Sequence, residues 1–207
     1  MIKYVLFDFD GTLVDSKNIL VQVFNDLSTK YAYPKVSSEI CPKVLSIAEH
    51  CKALGVPFYR IPFLSFEFLG KYRKSVPRLT LFDGLKNVLT ELSKRGYLIT
   101  ILSSHSKRTI QSFLKANQLT NIHTLHSSQS IFGKEKILGK FLKKNRLKSS
   151  EVIYIGDEVR DIIACHTYGI KVAWVSWGYD TYELIQPQSP DFIIHSPDEI
   201  LQILQAQ

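Results

Sequence analysis

The stretch Ile2-Lys3-Tyr4-Val5-Leu6-Phe7-Asp8-Phe9-Asp10-Gly11-Thr12 decides how the rest of the chain is read. Residues 2–7 are a short apolar run rich in strand formers, and they stop at Asp-Phe-Asp-Gly. Four similar runs follow: Leu98 to Leu102, Ile122 to Leu125, Val152 to Ile155 and Lys171 to Val175. A weaker sixth spans Phe192 to Ile194. Between the runs, apolar residues recur at helical spacing. Leu85, Val88, Leu89 and Leu92 form one stripe, ended by Gly96. Ile110, Phe113 and Leu114 form another, and Ile137, Leu138, Phe141 and Leu142 a third. Ile162 and Ile163 lead to a fourth stop at Gly169. Strands alternating with helices of about ten to fifteen residues predict an α/β fold, a doubly wound, mainly parallel sheet built from βαβ units.

One stretch breaks the alternation. From Ser16 to about Thr80 there is helical patterning only, punctuated by Pro34, Pro57, Pro62 and Pro77. Ser37-Ser38-Glu39-Ile40 offers a helix N-cap and Leu54-Gly55 a stop. A crossover helix needs far fewer residues, so 16–79 reads as an inserted helical cap, with 1–15 and 80–207 forming the α/β core. The insert carries ten basic residues against four acidic ones, a surplus of six within a whole-chain net charge of +7. Such a surface attracts anions or simply faces water. Phe58, Tyr59, Phe63, Phe66, Phe68 and Tyr72 are expected to form the insert's core rather than a base-stacking platform.

Composition excludes several classes. Hydrophobic residues at 45% and charged residues at 22% are those of a globular domain, not of a disordered or collagen-like chain. Cys41, Cys51 and Cys165 form no C-x-x-C pair, which argues against a disulfide framework and a cysteine zinc site. The six histidines show no metal-binding pair. No apolar run reaches membrane length, so a cytoplasmic protein with neither a membrane nor a nucleic acid as partner is expected.

Ligand sites of open α/β sheets form outside the carboxyl ends of the strands, where strand order reverses. The first strand ends in Asp8-Phe9-Asp10-Gly11-Thr12, the second in Ser103-Ser104-His105, and the fourth in Gly156-Asp157-Glu158-Val159-Arg160-Asp161. Lys134 opens the helix after the third. Taken singly, each has a plain structural reading: an aspartate after a strand caps a helix, and a lysine is solvated. Asp15 or Ser16 already serves to cap the first helix, which leaves Asp8 and Asp10 without that excuse. Together, the carboxylates form a hard-oxygen set suited to Mg²⁺.

The order of these elements resembles the haloacid dehalogenase-like superfamily. Asp8-Phe9-Asp10-Gly11-Thr12-Leu13-Val14-Asp15-Ser16 is similar to its first motif almost letter for letter, and the other elements follow at family-like intervals. The tail Gly169 to Tyr179 looks like its phosphoglycolate phosphatase-like branch. The resemblance implies a Rossmann-like core with a small cap domain and a phosphatase acting on a small phosphorylated metabolite. It implies Asp8 as nucleophile, forming an aspartyl-phosphate, and Asp10 as general acid and base. It also implies Mg²⁺ at Asp8, the Asp10 carbonyl and Asp157 with Asp161 in support, and a phosphate cradle of Thr12, Ser103 or Ser104, and Lys134, with Lys136 as a substitute for the last. The aspartate at position 10 favours phosphoryl transfer over dehalogenation, since a halide leaves without a proton. A phosphomutase or pyrophosphatase would share this core. Outside the family, a phospho-accepting signalling receiver or a basic binding module remain as alternatives.

Overall fold

The computed structural model describes residues 1–36, 52, 55–103, 105–127 and 134–205. Ser37-Ser38-Glu39-Ile40, Cys41, Cys51, Leu54 and Ser104 lie outside them. Six strands form one sheet: β1 (Tyr4–Phe7), β2 (Leu98–Ser103), β3 (Thr124–Ser127), β4 (Val152–Gly156), β5 (Lys171–Val175) and β6 (Phe192–Ile194). Their order is β3-β2-β1-β4-β5-β6, and every adjacent pair is parallel. The chain winds outward from β1 in one direction and then, from β4, in the other. The reversal falls between β1 and β4.

Alternation along the strands supplies both faces of the sheet with core residues. Val5, Phe7, Ile153, Ile155, Ala173 and Val175 join one buried cluster, while Leu6, Val152, Tyr154, Val172 and Trp174 join another. Helices α3 (Leu85–Lys94) and α4 (Lys107–Ala116) pack on the first face through Leu85, Val88, Leu89, Leu92, Ile110 and Phe113, joined by α8 (Glu199–Gln205). Helices α5 (Lys134–Asn145) and α6 (Val159–Thr167) cover the second through Leu138, Phe141, Ile162 and Cys165. A single turn, α7 (Tyr182–Ile185), adds Ile185 to it. Gly96, in the left-handed region at φ 83°, ends α3 where the sequence places the stop.

The third strand sits two residues later than its apolar run suggests. The run Ile122 to Leu125 gives way to Thr124–Ser127, which pairs Thr100 with Thr124 and Ser103 with Ser127. This is an edge strand, half-buried along its length, so apolarity does not mark its end.

No strand occurs among the described residues of 16–79. Two helices, α1 (Lys17–Tyr31) and α2 (Ile61–Ser75), are packed together, with Phe24 and Phe68 rings 6.1 Å apart. Ile61, Leu64, Phe68 and Tyr72 make the inward face of α2. Of the six aromatics expected in the insert's core, Phe68 and Tyr72 are buried there and the other four are not. Phe58 is 87% exposed and Phe66 77%, and Tyr59 and Phe63 are exposed as well. The helical phase explains it: Phe63 and Phe66 fall off the 61-64-68-72 stripe, and Phe58 and Tyr59 precede the helix in a short 3₁₀ turn.

The chain leaves for α1 and returns from α2 through a narrow neck. Val14 bridges Leu81 in antiparallel fashion, the Phe82 amide donates to the Leu13 carbonyl at 3.1 Å, and the Asp15 amide to the Thr80 carbonyl at 3.3 Å. Asp15 accepts from the Lys17 amide, while Ser16, at the N-cap position of α1, makes no side-chain cap and instead pairs its hydroxyl with that of Tyr179. No helix of the described residues is long and apolar enough to cross a membrane.

Candidate active site

The central strand delivers Asp8 to the point of reversal. Phe7 is in register with Ile101 on one side and Ile155 on the other, and the Asp8 amide donates to the Ile155 carbonyl at 2.9 Å. The chain then folds tightly, with the amides of Leu13 and Val14 both reaching the Phe9 carbonyl at 3.0 Å. Phe9 is buried against Phe113, ring centroids 5.0 Å apart. Period-two alternation therefore separates Phe9 from Asp8 and Asp10, which face the strand ends. Gly11 takes φ 78°, and a Cβ there would run into the Asp157 carboxylate. Backbone conformation and close approach both require glycine at this position.

Three loops bring five charged groups together. Lys134, the first residue of α5, places Nζ 2.5 Å from Asp8 Oδ2 and also contacts Asp161 Oδ1, with Glu158 at 3.7 Å. Lys136 is exposed, so the structure brings Lys134 and not Lys136 to this point. Asp161 has two jobs. One oxygen meets Lys134, while the other accepts the Glu158 amide at 3.3 Å and so caps α6. Asp8, Asp157 and Asp161 each offer an oxygen within 4.8 Å of the other two. Asp157 is fully buried and well anchored: it accepts from the Thr12 hydroxyl at 2.6 Å and the Tyr179 amide at 2.7 Å, and its carbonyl from the Trp174 indole at 2.9 Å.

Electrostatics set these carboxylates against one another. Burial, opposed by Lys134 and reinforced by Asp161 and Glu158, pushes the Asp8 carboxyl up to about 7. Burial, then the charges of Glu158, Asp8 and Asp161, lifts Asp157 well above the usual range. Burial works against the Lys134 ammonium, yet Asp161 and Asp8 outweigh it and hold its pKa above the ordinary lysine value. The Lys134 ammonium lies close to Asp8 and Asp161, while the buried Asp157 is held by the neutral Thr12 hydroxyl and Tyr179 amide. A hard divalent cation bound among the oxygens of these three carboxylates fits this donor set and would relieve the repulsion.

Asp10 is treated differently. His105 Nε2 lies 2.7 Å from its Oδ2, and the Tyr72 hydroxyl donates to its Oδ1. Burial alone would raise the Asp10 carboxyl, but the His105 charge and these hydrogen bonds prevail and hold it below the usual carboxylate range. The buried Ser103 hydroxyl accepts the His105 amide at 3.1 Å, which leaves its own proton to offer outward.

Asp8, Asp10, Thr12, Ser103, Lys134, Asp157 and Asp161 thus gather at the β1, β2 and β4 ends, and Ser104 lies outside the described residues. The Thr12 hydroxyl is aimed at Asp157, not outward as a phosphate donor. Sequence reasoning missed Tyr72, His105, Gly178 and Tyr179. Only Gly178 gave a local signal, as a glycine in the loop after β5; a Cβ on it would collide with Asp157.

A parallel sheet wound both ways, with carboxylates and a lysine at its reversal point, defines an α/β enzyme with a charged strand-end site. The chain belongs to the haloacid dehalogenase-like hydrolase family, which it matches over residues 5–175. Among curated proteins it is similar to the phosphoglycolate phosphatase of Synechococcus elongatus, 26% identical over 201 residues covering 96% of this chain and 95% of the relative. The pyrophosphatase PpaX of Bacillus cereus is 24% identical, covering 98% of this chain and 96% of that one. A haloacid dehalogenase-like hydrolase from Streptococcus pneumoniae superposes with a TM-score of 0.87 at 23% identity over 98% of both chains, which establishes the fold.

Proposed function

We propose that the chain is a Mg²⁺-dependent phosphatase that hydrolyses a small phosphomonoester through an aspartyl-phosphate on Asp8. The observation that carries this reading is the pairing of two differently tuned aspartates, Asp8 against Lys134 and Asp10 against His105 and Tyr72, at one strand end. Lys134 fixes the rotation of the Asp8 carboxylate and neutralises charge as the Asp8 oxygen bonds to phosphorus. The ester bond breaks, and Asp10, which takes up a proton from solvent when the anionic phosphoryl group binds beside it, gives that proton to the departing oxygen. In the second step Asp10 takes a proton from water, whose oxygen bonds to phosphorus as the Asp8–phosphorus bond breaks. The Ser103 hydroxyl donates to a phosphoryl oxygen. Asp8, Asp157, Asp161 and the Asp10 carbonyl would hold Mg²⁺, which when bound supplies charge stabilisation for the phosphoryl group. A signalling receiver is disfavoured by Asp10, which would discharge the phosphoryl group.

The insert 16–79 is read as a cap over this site, joined to the core at the neck. The two named relatives put phosphoglycolate and pyrophosphate into the substrate panel. Phosphate release from a broad panel of phosphorylated metabolites should stop on chelation and return with Mg²⁺. Asp157→Asn should raise the Mg²⁺ concentration needed for half-activity at least about tenfold. Activity that survives exhaustive chelation would remove the metal from the reading. Gly178→Ala should act on the same quantity, because its methyl displaces Asp157. Metal titration followed by activity should show a comparable rise, about 10- to 100-fold.

A further inference from the structure

Asp10 is gripped from two separate parts of the fold. His105 follows β2, and its ring is lodged between Phe9 (5.8 Å between centroids, edge-on) and Tyr72 (5.2 Å). Its backbone amide is tied to Ser103. Tyr72 comes from α2 in the insert, where it is buried and stacked on Phe68 at 6.2 Å. Phe68 in turn meets Phe24 of α1. An aspartate in a loop beyond a strand has two free torsions, and proton transfer needs its carboxyl aimed at one oxygen of the substrate. Here the Tyr72 hydroxyl holds one carboxylate oxygen and His105 Nε2 the other, with a further hydrogen bond from Ser16. A carboxylate has about four lone-pair sites, so the grip sets the orientation and still leaves a position for the proton.

We infer that Tyr72 and His105 are positioning residues for Asp10, with Tyr72 making proton delivery to the leaving oxygen depend on where helix α2 sits. The inference rests on the phosphatase reading above and deepens it. It makes the insert a participant in the chemistry through a single hydroxyl, and not only a cover. With α2 seated, both oxygens of Asp10 are held. With α2 withdrawn, His105 holds one oxygen and the carboxyl swings about that contact.

Tyr72→Phe removes one oxygen atom and keeps the ring that packs on Phe68 and His105. The informative comparison is kcat/KM for phosphoglycolate, whose alkoxide needs a proton to leave, against p-nitrophenyl phosphate, whose phenolate does not. The variant should lose about 10- to 100-fold on the first ester and less than about threefold on the second. In an Asp10→Asn background the same change should cost nothing further, since Tyr72 acts through Asp10. His105→Ala changes no residue of α2, although it removes the ring that packs on Tyr72, and should show the same bias toward the alkyl ester, so the inference does not hang on one variant folding. The unfolding midpoint is recorded for each.

Equal losses on both esters, no loss on either, or a full further loss in the double variant would each overturn the positioning role while leaving the phosphatase reading in place. A wild-type protein that hydrolyses neither ester, nor anything else in the panel, overturns that reading and the inference together.

Discussion

Asp8→Asn should remove turnover, by about 10⁴-fold or more, while the protein stays folded. The amide has nearly the shape of the carboxylate but is a poor nucleophile. Single-turnover phosphate release measures the loss, and substantial Mg²⁺-dependent activity in pure mutant protein would take Asp8 out of the nucleophile's place. Stability adds a second signature. The Asp8 carboxyl is pushed up to about 7 in the fold, far above its value in an unfolded chain. A group with a raised folded value binds its proton more tightly when folded, so its ionisation disfavours the fold increasingly as pH rises from about 4 to 7. Above pH 7 that penalty is complete. In metal-free buffer at pH 8, Asp8→Asn should therefore melt above the wild type, and the advantage should shrink as pH falls. Loss of activity with a gain in stability is the pattern of a nucleophile held in place against electrostatic cost.

Lys134→Ala should have the opposite effect on stability. The ammonium is buried and touches Asp8 and Asp161, with Glu158 within 3.7 Å. Removing it leaves acids facing one another without their close cation. Stripping one partner from a buried ion pair costs about 3–5 kcal/mol, so the variant should melt well below the wild type at pH 7 as well as lose activity. Protonation of Asp8 relieves the repulsion, so the deficit should narrow toward acid pH. Mg²⁺ should restore part of the midpoint by binding only the folded chain. Denaturant titration with and without Mg²⁺ checks this. Unchanged stability would mean that Lys134 is not the neutralising group.

The backbone of the site is legible in the sequence because strand ends and motif carboxylates are local features. Asp8, Asp10 and the Gly156-Asp157 turn are each readable within a few residues, and the alternating strands fix where they meet. Asp161 shows why the bland and the functional readings need not compete: one oxygen caps α6 while the other meets Lys134. What was not legible depends on long-range packing. Tyr72 lies on the same helical stripe as Leu64 and Phe68, and nothing along the chain marks which buried aromatic ends its hydroxyl at Asp10. His105 stands at the end of the second strand with no local mark of its role, because only folding brings the β2 end and α2 together. The edge strand β3 was misplaced because a strand paired on one side has little apolar pattern to read.

The neck at Val14 and Leu81 has a consequence for how this chain changes over time. With its ends pinned by a bridge and two hydrogen bonds, everything between them is, to the sheet, one closed loop. Loop closure grows only logarithmically with length, each doubling adding about 0.6 kcal/mol. Segments can be lengthened, shortened or replaced inside that loop at small thermodynamic cost, provided a side chain still arrives at Asp10. The neck thus separates the segment in which the chain is free to diversify from the strand ends that carry the site.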